Sequence, residues 1–586
     1  MTISRRDLIK VGIAAGTASI VLATEKTAAS GASEVTVRSN GASGHRYQST
    51  FEKLVAYAKE EIAEFGLPGM TFCLVDADGF AAVGLLGWSD QDRQIPVHSS
   101  HLFQIGSISK SFAALCVHRL ADEGKVDLDA PISRYLPDLP LPTEPILLRQ
   151  LLSHTSGLPG WTQMFPRVPD GRHWTGFAPG TEWSYSDVAY DLLGVLVAKI
   201  SGKPYPMALR DLVIAPLGIS GLKEAIETND RAKYAIGYSP LDFRADLPLG
   251  QAAWVNFDLG EGNVGATADS MTAYLQFLIS VGRGRGAPVF SDAAAKRFST
   301  PLEAAAMFGK GEAYASGLNV IDLDGRTAFH HTGAMLGFRS AMTVDPGSGV
   351  GCYVSVNARL AGWGPSNISK YACRLLRHVR EAENFPEPTK PTALDPIEDA
   401  EDYAGTYVSA GEDGFQVVLR SDRMYIAADG HEGRVRRIGR YFQADHPRLG
   451  THLFDFVRSG NAVKSAWHGG TLFGRGSVVP QLPVPPGLAA LQGVYVSMDP
   501  FMTPVSVFAE GERLVFEQMG IYRQKDTLHP HGENWRPENS PCERFHFADT
   551  LNGVPQRLNF SGSDLWRFSR ERDEQPTFSL PIEIAR

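Results

Sequence analysis

Apolar positions along the first 385 residues recur with two periods, one helical and one of strands. Phe51, Leu54, Val55, Ala58 and Ile62 fall at helical spacing, and Gly66-Leu-Pro68 ends that run. Met70–Val75 and Phe80–Leu86 read as apolar strands around Asp76-Ala-Asp-Gly79, a hairpin signal. A second helical run (Ala113, Ala114, Leu115, Val117, Leu120) follows Phe103–Phe112 and stops at Gly124. After a Pro-rich loop from Pro131 to Pro145, Leu151–Pro159 starts as helix and breaks at Gly157 and Pro159. Thr181–Ser186 leads into a helix from Asp187 to Ile200 closed by Gly202 and Pro204, and Thr267–Leu278 is helical again. Beyond Tyr314 the period changes to strands: Ser316–Leu323, Arg326–His330, Gly337–Val344 and Gly349–Asn357, separated by Asp-Gly or Pro-Gly-Ser-Gly turns. A helix, Ile368–Ala382, closes the region. Strands and a helix at both ends around a helical, loop-rich middle predict an α+β layer, a sheet flanked by helices with an inserted helical subdomain.

Residues 385–397 are Pro-rich and mark a domain boundary. Beyond them come short strands and turns, with one phrase used twice: Tyr403-Ala-Gly-Thr-Tyr-Val-Ser409 and Leu491-Gln-Gly-Val-Tyr-Val-Ser497. Each copy leads into alternating strands and ends near a Trp/Phe run, at Trp467–Phe473 and Trp566–Phe568. Two smaller all-β, barrel-like domains, 398–480 and 487–586, fit this repeat better than one large sheet, with Pro480–Pro486 between them.

The chain has 586 residues and a net charge of −9, and its longest basic piece is as short as Arg434–Arg440, which argues against a nucleic-acid partner. Five cysteines lie mostly in apolar runs without C-x-x-C spacing, so neither a disulfide framework nor a thiolate zinc site is expected. No H-E-x-x-H or G-x-S-x-G occurs, and no metal or cofactor is implied. Ser4-Arg5-Arg6-Asp7-Leu8-Ile9-Lys10 precedes the apolar run Val11–Ala23, which is too short to span a bilayer. Residues 1–29 therefore resemble a twin-arginine export signal cleaved near Thr27-Ala-Ala29, which implies a periplasmic or secreted protein without a stable membrane anchor. Ser30–Gln48, rich in Gly and Ser, reads as a linker, and residues 49–384 form the first domain.

The chemistry concentrates in Phe103–Phe112, where Ser107 and Lys110 form an S-x-x-K pair at a helix start. Residues three apart share a helix face, so Lys110 can lean over Ser107 and, as a neutral amine, take its proton. Two fixed positions recur by chance about once or twice in a chain of this length, and Ser220-Gly-Leu-Lys223 is such a recurrence, read as a turn. On spacing alone Ser107 is equally a helix cap.

Context changes this. Ser107-Ile-Ser-Lys110, Leu151–Pro159, Tyr185-Ser-Asp187 and His331-Thr-Gly333 stand in the order and spacing of the serine β-lactamase and penicillin-recognising family. Residues Phe51–Glu383 resemble its class C β-lactamase, esterase and D-aminopeptidase branch, as do Pro216-Leu-Gly218 and Gly262–Asp269. With the two β modules, the layout is similar to the three-domain D-stereospecific aminopeptidases. The resemblance implies a β-lactamase/transpeptidase-like antiparallel sheet, Ser107 as nucleophile, Lys110 as its base and Tyr185 as the proton shuttle to the leaving group. It places His331 where β-lactamases carry the lysine of K-T-G, Thr332 and Gly333 beside substrate, and the N–H groups of Ser107 and Ala334 as the oxyanion hole.

Each residue also has a plainer reading: Tyr185 as a core aromatic, His331 as a solvated strand end, and Asp187 as a helix N-cap. Strand alternation turns the neighbouring His330 to the opposite face from His331. Asp187 departs from the asparagine most relatives carry. Its carboxylate would favour the ammonium form of Lys110, unless it is protonated, turned away, or attracts a substrate amine.

The expected activity is acyl transfer through Ser107 on amide bonds of small peptides, such as those with D-residues. Carboxylesterase is the alternative; β-lactamase or a non-catalytic penicillin-recognising module is less favoured. The expected partner is a small peptide or ester; oligomeric state is open. Gln524–Pro541 reads as a polar loop that approaches the site through Glu533 and Trp535.

Overall fold

The computed structural model describes residues 46–160, 162–240, 248–305, 311–359, 364–382, 384–388, 397–411, 414–421, 423–520 and 523–568, with the backbone of 11–14, 17–23 and 34–39. The paired arginines, Thr27-Ala-Ala29 and most of 385–397 lie outside the described residues. Among the described residues no helix is long and apolar enough to cross a membrane.

The first domain is an antiparallel sheet between two layers of helices. Helix α1 (Gln48–Phe65) precedes strands β1 (Gly69–Asp76) and β2 (Ala81–Asp90), and helices α2 (Ser109–Asp122), α3 (Asp187–Ser201) and α4 (Ala268–Gly282) fill the middle. Strands β3 (Asn319–Asp322), β4 (Thr327–Met335), β5 (Phe338–Asp345) and β6 (Val350–Val356) lead into helix α5 (Gly364–Glu381). The sheet order is β2-β1-β6-β5-β4-β3, so the first two strands lie against the last. Glu34–Ser39 pairs with β2, so the stretch read as a linker carries a strand; the period-two valines Val35 and Val37 explain it.

Every residue of β1 is buried, because helices cover both sheet faces. Phe72 and Leu74 pack with Phe51, Leu54, Ile368 and Leu375 beneath α1 and α5. Cys73 and Val75 point the other way, into the core with Phe112, Leu192, Met271 and Leu275 from α2, α3 and α4. This second layer holds the inserted helical subdomain, and the site lies where it meets β4. The helix starting at Leu148 ends at Leu152, earlier than Gly157 and Pro159 suggest, because His154 takes a left-handed φ of 60°. Ser220-Gly-Leu-Lys223 is a turn into a two-residue strand, and Lys223 pairs with Asp230.

The remaining chain forms two closed eight-stranded barrels, from Gly405 to Arg475 and from Gly493 to Phe568. The sequence repeat is a structural one. Tyr407 donates its hydroxyl to the Tyr403 carbonyl and Tyr495 to the Leu491 carbonyl, each at 2.9 Å. Each tyrosine pairs across the barrel seam with an arginine, Arg475 or Arg567. That arginine reaches the carbonyls just before the first strand: Asp402 and Ala404 in one barrel, Ala490 and Gln492 in the other. The segment Gln524–Pro541 is mostly a hairpin, Lys525–His531 and Asn534–Pro537, and not a loop.

Tyr407→Phe and Tyr495→Phe should each lower resistance to denaturant by about 1 kcal/mol, the net worth of a hydrogen bond. Chemical denaturation of the full chain should show the larger shift for Tyr495→Phe, whose hydroxyl also accepts from Arg567 at 2.9 Å.

Candidate active site

Ser107 sits in a single 3-10 turn, Gly106–Ile108, that leads directly into α2. Two glycines fix it against β4. Gly106 has φ 55°, and a Cβ there would lie 2.5 Å from the Ala334 nitrogen; a Cβ on Gly333 would lie 1.8 Å from the Ile105 carbonyl oxygen. Backbone thus lies on backbone, with the Ser340 hydroxyl donating to Ile105 O at 2.7 Å. This brings the Ser107 turn beside Ala334, as an oxyanion pair requires. The segment Glu261–Val264 runs along the other side: Ile105 N–H donates to Val264 O, and Val264 N–H to Ser109 Oγ, both at 3.1 Å.

Lys110, on the first turn of α2, is fully buried. Its Nζ lies 3.0 Å from Ser107 Oγ, 3.1 Å from Glu261 O and 2.7 Å from Asp187 Oδ1. Glu261 O and Asp187 Oδ1 accept from the amine, while the Ser107 hydroxyl can accept from an ammonium or donate to a neutral amine. Burial pulls its pKa down, but its neighbours, Asp187 foremost, raise it above the ordinary lysine value. Asp187 is not the N-cap of α3; Ser186 is, accepting from Ala189 N–H at 3.3 Å. The Asp187 carboxylate is left to face Lys110.

Two further carboxyl groups, absent from the sequence reading, border this pair. Asp191 is one turn along α3, and Glu261 follows the loop beside Ser107; Glu261 N–H donates to Asp191 Oδ1 at 3.4 Å. Burial raises the pKa of both; Asp187 adds to it at Asp191, and Asp191 with Asp187 adds to it at Glu261, so both keep their protons. Glu261 shares a hydrogen bond with Asp187. A second carboxyl at i, i+4 from Asp187 was the signal available for Asp191; nothing local marked Glu261.

Tyr185 hydrogen bonds with Ser107 and Lys110, and Lys110 Nζ stands 4.9 Å from its ring centre. Burial pushes the phenol up to about 12 in spite of Lys110. The core-aromatic reading of Tyr185 therefore gives way to a place at the nucleophile.

His331 does not flank Tyr185 as a cation. Its Nδ1 is 2.6 Å from the Thr332 carbonyl and must donate there, so Nε2 accepts from the Tyr314 hydroxyl at 3.0 Å. Burial lowers its pKa to about 3, against the pull of that backbone bond, which makes it a neutral imidazole. It is not a solvated strand end either, being 1% exposed. Thr332 and Gly333 follow it on β4, Thr332 half-buried and Gly333 buried against the Ser107 turn. His330 does point to the other face, between Thr343 and Ser366. His154, also fully buried, accepts from Ser186 N–H through Nδ1, and its ring lies 4.3 Å from that of Tyr185. Among the described residues no group of three or more His, Cys, Asp or Glu is arranged to hold a metal ion.

The β-lactamase family profile matches residues 49–363. The chain belongs to the β-lactamase family. Penicillin-binding protein 4 of Amycolatopsis lactamdurans is 26% identical over 54% of this chain and 87% of that protein. Esterase EstB of Burkholderia gladioli is 31% identical over 29% of this chain, and the match spans about half, 52%, of the esterase's length. Among solved structures, the octameric penicillin-binding protein homologue from Pyrococcus abyssi superposes with a TM-score of 0.52 at 21% identity, over 72% of this chain and 99% of that one. That likeness concerns the fold. Within this family fold, Ser107, Lys110 and Tyr185 are in mutual contact, with three carboxyl groups gathered around the lysine.

Gly333→Ala forces β4 away from the Ser107 turn. A displacement of this size should lower kcat/KM by about 100-fold or more, measured with a short-chain nitrophenyl ester, without exposing new core in circular dichroism.

Proposed function

We propose that the protein is an exported serine hydrolase that cleaves amide bonds of small peptides bearing a free amine, through an acyl-enzyme on Ser107. One observation carries this reading: the Lys110 ammonium is held by Asp187, beside two further carboxyl groups. An ammonium is no base. For Ser107 to attack, Lys110 must give up a proton, and a substrate cation placed at Asp187 promotes that in two ways. It takes over Lys110's counter-ion, and as a like charge it lowers the lysine's pKa. Glu261 and Asp191 can ionise in turn to balance the added charge.

The steps then follow. Ser107 Oγ attacks the carbonyl carbon while its proton passes to the Lys110 amine, directly or through the Tyr185 hydroxyl. The oxyanion faces the N–H groups of Ser107 and Ala334. The C–N bond breaks as the same proton reaches the departing nitrogen, and the Ser107 ester is hydrolysed by water in the reverse sense. A β-lactam carboxylate meets neutral His331 and anionic Asp187 here, an unfavourable setting. The resemblance to an esterase supports carboxylesterase as the second reading. A D-residue substrate and export through residues 1–29 remain part of the proposal.

The test is turnover of three chromogenic substrates by the wild type, Ser107→Ala and Asp187→Asn: a D-alanyl anilide with a free amine, a nitrophenyl ester, and a β-lactam. Asp187→Asn should lower kcat/KM for the anilide by about tenfold or more, the loss of a charge-assisted contact. The same change lowers the pKa of Lys110, so amine appears at lower pH and the rising alkaline limb of ester turnover should move down the pH scale. Ester turnover without anilide turnover would overturn the peptidase reading in favour of the esterase. A wild type silent on all substrates and unlabelled by a serine-reactive probe would favour the binding module.

A further inference from the structure

The second barrel reaches the first domain on the loop that carries Tyr185 and Asp187, through residues that follow the Lys525–Pro537 hairpin. Glu533 is exposed at that hairpin's turn and Trp535 packs against its own barrel's core, so the contact expected of them is made elsewhere. It is made by residues that include Cys542, Glu543 and Ser561, with Asn559 and Gly562 bonding Arg167 beside them. The Cys542 carbonyl accepts from Trp174 Nε1 at 2.8 Å, and the Ser561 carbonyl from Thr162 Oγ1 at 2.8 Å. A Cβ on Gly176 would lie 2.4 Å from Cys542 Cα, so the two backbones touch.

Glu543 is the polar centre of this contact. It is buried, its Oε1 accepts from Gly160 N–H at 2.7 Å, and its Oε2 bonds the Ser561 hydroxyl. The other side of the same peptide meets Tyr185-Ser-Asp187. Gly160 O accepts from Asp187 N–H at 3.1 Å, and the preceding carbonyl, Pro159 O, accepts from Ser186 Oγ at 2.8 Å. A Cβ on Gly160 would stand 3.1 Å from both Glu543 Oε1 and Tyr185 O. The Pro159–Gly160 backbone is thus held between a barrel carboxyl and Tyr185-Ser-Asp187, with no slack on either side.

We propose that Glu543 is a positioning residue: through Gly160 it fixes where Tyr185 and Asp187 stand relative to Ser107, making the second barrel part of the catalytic apparatus. Burial, with the nearby Asp187 adding to it, raises the Glu543 pKa. Its Oε1 accepts from Gly160 N–H and its Oε2 from the Ser561 hydroxyl, so both oxygens are satisfied without a counter-ion. Glutamine can accept from Gly160 in the same place. Alanine cannot, and aspartate falls one methylene short.

The experiment uses the full chain and a nitrophenyl ester, so its result is independent of whether the natural substrate is an amide. Glu543→Ala and Glu543→Asp should lower kcat about tenfold or more with a smaller change in KM, as expected of misplaced catalytic groups, and slow labelling of Ser107 by a serine-reactive probe. Glu543→Gln should stay within about threefold of the wild type. Thr162→Val removes a different hydrogen bond of the same interface without touching Gly160, and should leave kcat unchanged. Wild-type kcat in folded Glu543→Asp, or an equal loss in Thr162→Val, would overturn the proposal, the second by showing that docking alone matters. Should Glu543→Ala not fold, the contrast between Glu543→Asp and Glu543→Gln still decides.

Discussion

A buried ammonium must be met by acceptors on every N–H and by a negative charge within a few ångströms, or it loses its proton. Lys110 meets both demands, and the first domain is arranged around how it does so. Its three partners come from three separate pieces of chain: the Ser107 turn, the Glu261 loop and the first turn of α3. Fixing the lysine therefore fixes the relative placement of α2, α3 and the loop beside β4. Charge is balanced one to one. With the single local cation matched by Asp187, Asp191 and Glu261 have no counter-ion left and keep their protons. The resting site is stable because it is neutral overall, and it is catalytically at rest for the same reason.

Much of this could be read from the chain, and the reasons differ by element. In Gly69–Asp76 the apolar run is continuous, as a strand covered on both faces must be, and it fell where the sequence placed it. The three-residue spacing of Ser107 and Lys110 was legible because one turn of helix converts it into a contact. Asp187 was legible as a departure from asparagine, and its expected effect on Lys110 is seen at 2.7 Å. What stayed hidden was set by long-range placement. Tyr314, 17 positions before His331, bonds its Nε2, and burial by distant elements keeps the imidazole neutral where β-lactamases carry a lysine. The Glu261 carboxyl comes from a loop without local pattern, and Glu543 is 383 positions from Gly160. Gln524–Pro541 looked like a loop because its polar strands alternate toward solvent and include Pro530 and Pro537, both within strands of the hairpin.

The two barrels close themselves by one device, a tyrosine and an arginine that clasp the chain just ahead of the first strand. The residues by which the second barrel touches the loop before Tyr185, Cys542, Glu543 and Ser561 among them, lie outside that clasp. Closure and docking are thus written in separate letters of the same module. A duplicated barrel inherits the ability to hold its own shape before it has any task, and can then acquire one by altering a few residues on one rim. The asymmetry that results is one of duties: substitutions on the rim of the second copy answer to the chemistry at Ser107, while the corresponding rim of the first, where Leu453 N–H donates to Glu517 and Arg523 donates to the Gly450 and Thr451 carbonyls, answers to the second barrel.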